Sequence, residues 1–412
     1  RDRYIYNLFI AMIVSALAVS CTDDELVKGG DKYEVVPDIP VALSLKIKVA
    51  DQMEVQTRLA QSDETERTVN KLFVIAFKPS KQSDGAENAD ASDDEWSVDN
   101  SAFYDTEDGL GNPIEVGKPQ SVEFSMTTGL RRIYVVGNPQ SGVGTLSDDE
   151  LKNVKTIAAL KALYSKLSDN LSVERVYFLM TGQAITKEKS EIVTVYKSGD
   201  HQGAIREDYT MALNHVDARI TFNIIPAVGV TFEPEAYRVI NIPGGTYLFS
   251  REKQNSGDNT WDYDGAGYAP SNRLSDFTEK DGKSIFEFYI CENRQNPKQK
   301  ISTESLLEEG TYYALREKQE KKLITGTVEG QKYENGEYVY ANAKSTYVEL
   351  EGTITYKDDD GSEVYAKTTY TIHLGNTGNS NTADWLNDLE LVNNYDTERN
   401  THYTYNVKVQ SV

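Results

Sequence analysis

Thiols, imidazoles, clustered carboxylates and glycine turns are the groups in this chain with the chemistry to act, and their spacing excludes most familiar reactions. The two cysteines, Cys21 and Cys291, are too few for a Cys-rich zinc site or a disulfide scaffold. The four histidines, at 201, 215, 373 and 402, never fall at metal-ligand spacing. His373 and His402 sit in strand patterns, where a satisfied structural role is the expectation. Asp358-Asp359-Asp360-Gly361 has the carboxylates a hard cation wants, but it lacks the alternating ligands and distal Glu of a calcium loop. An Asp-Gly hairpin tip explains it more simply. Gly109-Leu110-Gly111 and Gly142-Val143-Gly144 lack the third glycine of a dinucleotide fingerprint and read as turns. No HExxH, GxSxG or GxxxxGK[ST] occurs, and neither cysteine has a local catalytic signature, so no catalytic residue, metal or cofactor is expected. Trp96, Trp261 and Trp385 fall in or beside loops, a placement compatible with carbohydrate platforms.

Of 412 residues, 43 are Lys or Arg and 65 are Asp or Glu, giving a formal net charge of −22. Such an acidic chain is not expected to bind nucleic acid or an anionic membrane surface as a whole. At roughly 150 residues per domain the length suggests two or three domains, and 39% hydrophobic residues suffice for real cores. The 26 tyrosines against 12 phenylalanines point to half-wet aromatic positions on sheets.

The elements that would position such residues are mostly strands. From Val41 to Ala50 the residues Val41, Leu43, Leu45, Ile47 and Val49 share one face, and Ala42, Ser44, Lys46 and Lys48 the other. Further strands are expected at 69–77, 122–126, 132–137, 176–180, 192–196, 218–225, 237–242, 285–290, 346–356, 365–374 and 402–409, a count that favours paired β-sandwiches. A capping box at Ser147 and Glu150, followed by the stripe Leu151, Val154, Ile157, Leu160, Tyr164 and Leu167, predicts one helix over 147–167. A second, interrupted by Gly310, is expected over 303–322. The polar tracts 78–96 and 251–264 read as solvated loops, and a domain boundary is placed near residue 210.

Residues 1–20 carry Arg1 and Arg3 and then the apolar run Leu8–Val19, too short to span a bilayer and suited to a signal-peptide core. The alternative is an ordinary buried helix. The absence of an initiator Met suggests that this end is incomplete. The run leads directly to Cys21, an arrangement that resembles the lipobox of bacterial lipoproteins, although Ala18 stands where Leu is usual and Leu17 lies one place early. The acidic run Thr22-Asp23-Asp24-Glu25 resembles the surface-export signal of Bacteroidota lipoproteins. The resemblance implies a lipidated Cys21 and leaves Cys291 as a buried thiol without a disulfide partner.

Beyond that point the order of motifs resembles the FimA-type fimbrillins, pilus subunits of Bacteroidota. The strand Val41–Ala50 is followed by Thr57-Arg58-Leu59-Ala60 and ETERTVNKLFVIAF (Glu64 to Phe77). Then come RRIYVVGNP (Arg131 to Pro139), FLMTG (Phe178 to Gly182), MALNHVDARITFNI (Met211 to Ile224) and VINIPGGTYL (Val239 to Leu248). FYICEN (Phe288 to Asn293), STYVELEGTITY (Ser345 to Tyr356), TIHLG (Thr371 to Gly375) and ERNTHYTYNVKV (Glu398 to Val409) complete the series. The resemblance implies a mainly β chain of two transthyretin-like β-sandwich domains in tandem, residues 21–210 and 211–412, with one or two short connecting helices.

It also implies assembly by strand exchange. A lipoprotein precursor reaches the outer membrane, an arginine-specific protease cuts after the first strand, and a strand from another fimbrial subunit fills the groove. Arg58-Leu59 is the expected cut, with Arg67 the runner-up, and the groove-facing residues are Val41, Leu43, Leu45, Ile47 and Val49. An ordinary strand and an ordinary surface arginine fit the composition equally well. The alternating strand at Tyr403–Val409 reads as a last core strand more than as a donor, which favours a tip or accessory subunit over a stalk subunit. The expected partners are other fimbrial subunits, the protease, the outer membrane through Cys21, and a host or bacterial surface receptor that adhesion would require. The rival readings are a fimbrial anchor subunit, a non-polymerising surface lipoprotein that binds glycans, and a hydrolase whose catalytic residues are brought together only by the fold.

Overall fold

A computed structural model describes residues 35–50, 53–55, 68–139, 146–166, 178–186, 189–197, 210–250, 267–302, 304, 315–328, 331–358, 360–377 and 389–411. The chain is mainly β. Its first ten strands are β1 (Pro40–Val49), β2 (Met53–Val55), β3 (Lys71–Pro79), β4 (Trp96–Asp105), β5 (Gln120–Thr127), β6 (Gly129–Gly137), β7 (Tyr164–Lys166), β8 (Met180–Gln183), β9 (Val193–Val195) and β10 (Thr210–His215). There follow β11 (Asp217–Pro226), β12 (Thr231–Ile240), β13 (Ile242–Pro243), β14 (Gly245–Tyr247), β15 (Tyr268–Ala269), β16 (Thr278–Lys280), β17 (Lys283–Cys291), β18 (Gln319–Val328), β19 (Gln331–Tyr338), β20 (Tyr347–Lys357), β21 (Glu363–His373) and β22 (Thr401–Val409). Three short helices are described: α1 (Asp148–Lys152), α2 (Ile157–Ala162) and α3 (Leu389–Val392).

The first sheet runs β4-β3-β6-β8-β10-β1-β5, with β9 attached to β6. The interior strand β3 is apolar on both faces. Leu72, Val74 and Ala76 of β3 join β1 and β5 in one core, while Phe73, Ile75 and Phe77 face a second core with Trp96 and the helices. A strand covered on both sides must read as an unbroken apolar run, and residues 72–77 do. The two ends of the sheet meet, because Asn100 Nδ2 and Tyr104 Oη of β4 donate to the Ser125 and Glu123 carbonyls of β5, each at 2.7 Å. The edge strand β4 lay hidden in the sequence: after the buried Trp96 most of its residues are half-buried, and polar and apolar side chains mix without alternation.

β10 ends at His215, Val216 is buried, and β11 opens the second region at Asp217. There the sheet β16-β17-β11-β22-β2 shares one core with the sheet β12-β20-β21. Phe222 stacks on Phe286 at 4.8 Å, and Phe286 on Tyr237 at 4.0 Å, which joins the two sheets through aromatic faces. Cys291 is wholly buried at the end of β17.

The structure corrects two helix expectations. The capping box at Ser147 and Glu150 forms, but the helix stops at Lys152 and restarts at Ile157 under a new cap, Thr156 Oγ1 accepting from Ala159 N at 3.2 Å. The reason is pairing: Val98 of β4 donates to the Lys155 carbonyl at 3.1 Å, and a backbone used this way cannot stay helical. The stripe Leu151, Val154, Ile157 and Leu160 still packs on the sheet, whereas Tyr164 begins β7. In the second case residues 303 and 305–314 lie outside the described residues, 304 and 315–316 are helical, and 319–322 belong to β18, paired with β19, so the hairpin overrides helix propensity at that end. The tract 80–95 has no buried residue, as its polarity predicts, and is anchored by Glu87 and Asp93, which pair with Arg131 and Arg132.

Gly182 of β8 lies where an added Cβ would meet the Ala212 carbonyl oxygen at 2.4 Å, so β8 and β10 approach only because this residue has no side chain. Gly182→Ala is expected to cost about 1–3 kcal/mol as overpacking, read as a lower midpoint in urea unfolding.

Candidate functional site

The five groove-facing residues singled out in the sequence lie on one element, β1. It lies between β5 and β10, antiparallel to the first from Pro40↔Thr127 to Ile47↔Gln120 and parallel to the second from Lys46↔Thr210 to Val49↔Leu213. The strict alternation of its sequence becomes strict alternation of burial: Val41, Leu43, Leu45, Ile47 and Val49 are 7, 4, 3, 0 and 3% exposed, and the intervening side chains face outward. A one-residue slip would turn all five apolar side chains to water, so the register is tightly specified.

Past Val49 the chain reaches the other region. The Ala50 amide donates to the Leu213 carbonyl at 2.8 Å, and β2 pairs in parallel with β22, Met53↔Thr401 to Val55↔Tyr403. One segment of sixteen residues, 40–55, therefore supplies an interior strand to the first sheet and the outermost strand of the second. Nothing in the sequence of Met53–Val55 signals that second pairing, because three residues are too few for a period.

At its start, β1 is clamped by polar contacts. Asp38 takes a left-handed backbone, φ 65°, and its amide donates to the Thr128 carbonyl at 3.0 Å. Thr128 N donates to the Ile39 carbonyl, and Ile39 N to Thr128 Oγ1. The Asp38 carboxylate lies 3.0 Å from Lys78 Nζ, 2.8 Å from Lys81 Nζ and 3.9 Å from the buried Arg131 guanidinium. Arg131 also meets Glu87 at 2.8 Å and Asp99 at 3.2 Å and donates to the Thr128 carbonyl. Hydrogen bonds from Lys81 and Lys78 hold the Asp38 carboxyl below the usual carboxylate range.

Cys21, Arg58, Leu59 and Arg67 lie outside the described residues, as do Trp261 and Trp385. Trp96 is no carbohydrate platform: its ring is fully buried in the core beside α1 and α2, and Nε1 donates to the Ala91 carbonyl at 3.1 Å. The Asp358–Gly361 turn joins β20 to β21, and the Asp358 and Asp360 carboxylates accept from backbone amides of the turn itself. His402 meets Thr221 Oγ1 at 2.9 Å and His373 meets Glu317, both within the fold's interior.

Comparison with known proteins bears on this geometry. Residues 41–219 match the family model described as major fimbrial subunit protein (FimA), a match that begins at the first inward residue of β1 and ends in β11. No curated protein sequence matches the chain. Among solved structures, the tip fimbrial protein Mfa3 from Porphyromonas gingivalis with C-terminal truncation is similar at 13% identity and a TM-score of 0.45, over 90% of this chain and 95% of that one. The fimbrial anchor protein Mfa2 from Porphyromonas gingivalis is similar at 12% identity and a TM-score of 0.28, over 90% of this chain and 91% of that one. Identities and superpositions at this level transfer no role.

Two outcomes test the site's energetics. Leu45→Ala is expected to lower stability by about 2–5 kcal/mol, and Ser44→Ala, one residue away on the wet face, to change it by less than about 0.5 kcal/mol in urea unfolding. Asp38→Asn is expected to destabilise by less than about 1 kcal/mol at pH 7, because the pairs are partly exposed. Since folding makes Asp38 more acidic, its ionic contribution is present above the ordinary value of 3.8 and lost as pH falls through and below it, so the difference between wild type and variant should narrow at pH 3.

Proposed function

We propose, from the match of residues 41–219 to the model of the major fimbrial subunit protein (FimA) family, that this chain is a fimbrial subunit that is exported as a lipoprotein precursor and accepts a strand from a neighbouring subunit. The observation that carries the reading is the position of β1, early in the chain yet interior to its sheet. A cut after Arg58 would separate the whole of β1 and β2 from the rest of the chain.

Losing five buried apolar side chains at about 1.5–3 kcal/mol each removes roughly 8–15 kcal/mol of burial, an upper bound. The same loss uncovers the β22 edge in the second sheet. An opening of this kind is stable only when refilled, and an extended strand with alternating apolar residues refills it, its backbone supplying affinity and its side chains register. The neighbouring fimbrial subunit is the source of that strand, and adhesion to another cell is the purpose of the fibre.

In this reading the lipid on Cys21 holds the precursor at the outer membrane, and an arginine-specific protease releases the subunit by cutting at Arg58-Leu59. The core around β1 and the core of the second region would then be the interiors of two transthyretin-like sandwich domains. β22 lies between β11 and β2 and so serves its own sheet, and the position assigned to the chain in this reading is tip or accessory. The role is structural.

Limited digestion with an arginine-specific protease, followed by intact mass and electron microscopy, tests this. An early cut after Arg58, with the severed segment displaced by an added peptide of residues 35–55, is the expected result. A chain that stays whole, or one that is cut and never exchanges the segment, would overturn the acceptor reading.

A further inference from the structure

The clamp on Asp38 has a consequence for partner choice, resting on the strand-acceptor reading above. We infer that Lys78, Lys81 and Arg131 form a carboxylate-reading site at the mouth of the groove, selecting an incoming strand with an aspartate three positions before its first inward apolar residue.

The charges at the mouth carry the argument. Three cations, Lys78, Lys81 and Arg131, face three carboxylates, Asp38, Glu87 and Asp99. Only Asp38 belongs to the segment that a cut after Arg58 would remove. Without it, three cations face two carboxylates, and the side chains of Arg131 and Asp99 are 0 and 3% exposed, where water compensates poorly. In a chain of net charge −22 this is a local cationic spot, and it stands where two acidic subunits must approach.

Geometry narrows the choice of acid. The Asp38 backbone is left-handed at φ 65°, a conformation that Asp and Asn tolerate far better than Glu. Its amide must also donate to Thr128 while its short side chain reaches both lysines. Asparagine satisfies the backbone alone and glutamate the charge alone. Aspartate meets both demands. The apolar alternation sets register in steps of two, and the charge at a fixed offset from Val41 distinguishes one such register from the next.

The test uses the full chain with a specific protease site placed within residues 59–67, nicked after folding. Competition by fluorescent peptides of residues 35–55 then reads affinity. The native peptide is expected to bind about 3- to 10-fold more tightly than its Asp38→Asn variant at low salt, with Asp38→Glu in between. The gap should shrink at 1 M salt and vanish in a Lys78→Gln, Lys81→Gln chain. Equal binding of the native and Asp38→Asn peptides, with a Leu45→Asp peptide failing to bind, would overturn the carboxylate reading and leave the groove intact. Failure of the native peptide itself would overturn both.

Discussion

The seating of β1 between β5 and β10 is the constraint on which the first half of the chain depends. Its five inward side chains belong to the same core as Leu72, Val74, Ile133 and Val135 from the central strands, so the burial of those strands is shared with β1. The sheet closes on itself through side chains of β4 that reach the carbonyls of β5, the strand β1 pairs with along eight positions. At these two positions side chains of one edge strand cover carbonyls of the other, which would otherwise be open to pairing.

The same segment ties the two regions together. Within residues 40–55 the backbone leaves the first sheet and adds β2 to β22 of the second. Other contacts reinforce the crossing: Tyr289 of β17 packs on Phe178 at 4.7 Å, and His215 N donates to Asn400 just before β22. The two sheets are thus joined by a stretch of chain that adds one strand to each.

Charge plays a smaller and more local part. Most ion pairs of an acidic surface are exposed and screened. Arg131 differs because its guanidinium is wholly buried and held by Glu87, Asp99 and backbone carbonyls, a fully partnered buried cation at the spot where β1 begins. The arrangement places specificity at the mouth and burial energy along the strand, a division of labour between charge and apolar area.

Strands whose side chains answer to one periodic environment were legible from residues alone. β1, β5, β17 and β20 alternate, β3 runs apolar over 72–77 and β6 over 133–136, and the family resemblance followed from the order of the motifs. The capping box at Ser147 was legible too, because it is local. What escaped was whatever depended on partners distant in sequence: the edge strand β4, the three-residue β2, the hairpin β18–β19, and the break of a predicted helix at residues 153–156 to pair with β4. Asp38 likewise carried no signal of its own in the sequence. Periodicity records which face of an element is buried, a property that each residue carries in its own hydrophobicity. Which strand lies beside which, and which lysine reaches which carboxylate, is settled only by chain closure, since backbone pairing is indifferent to side-chain identity.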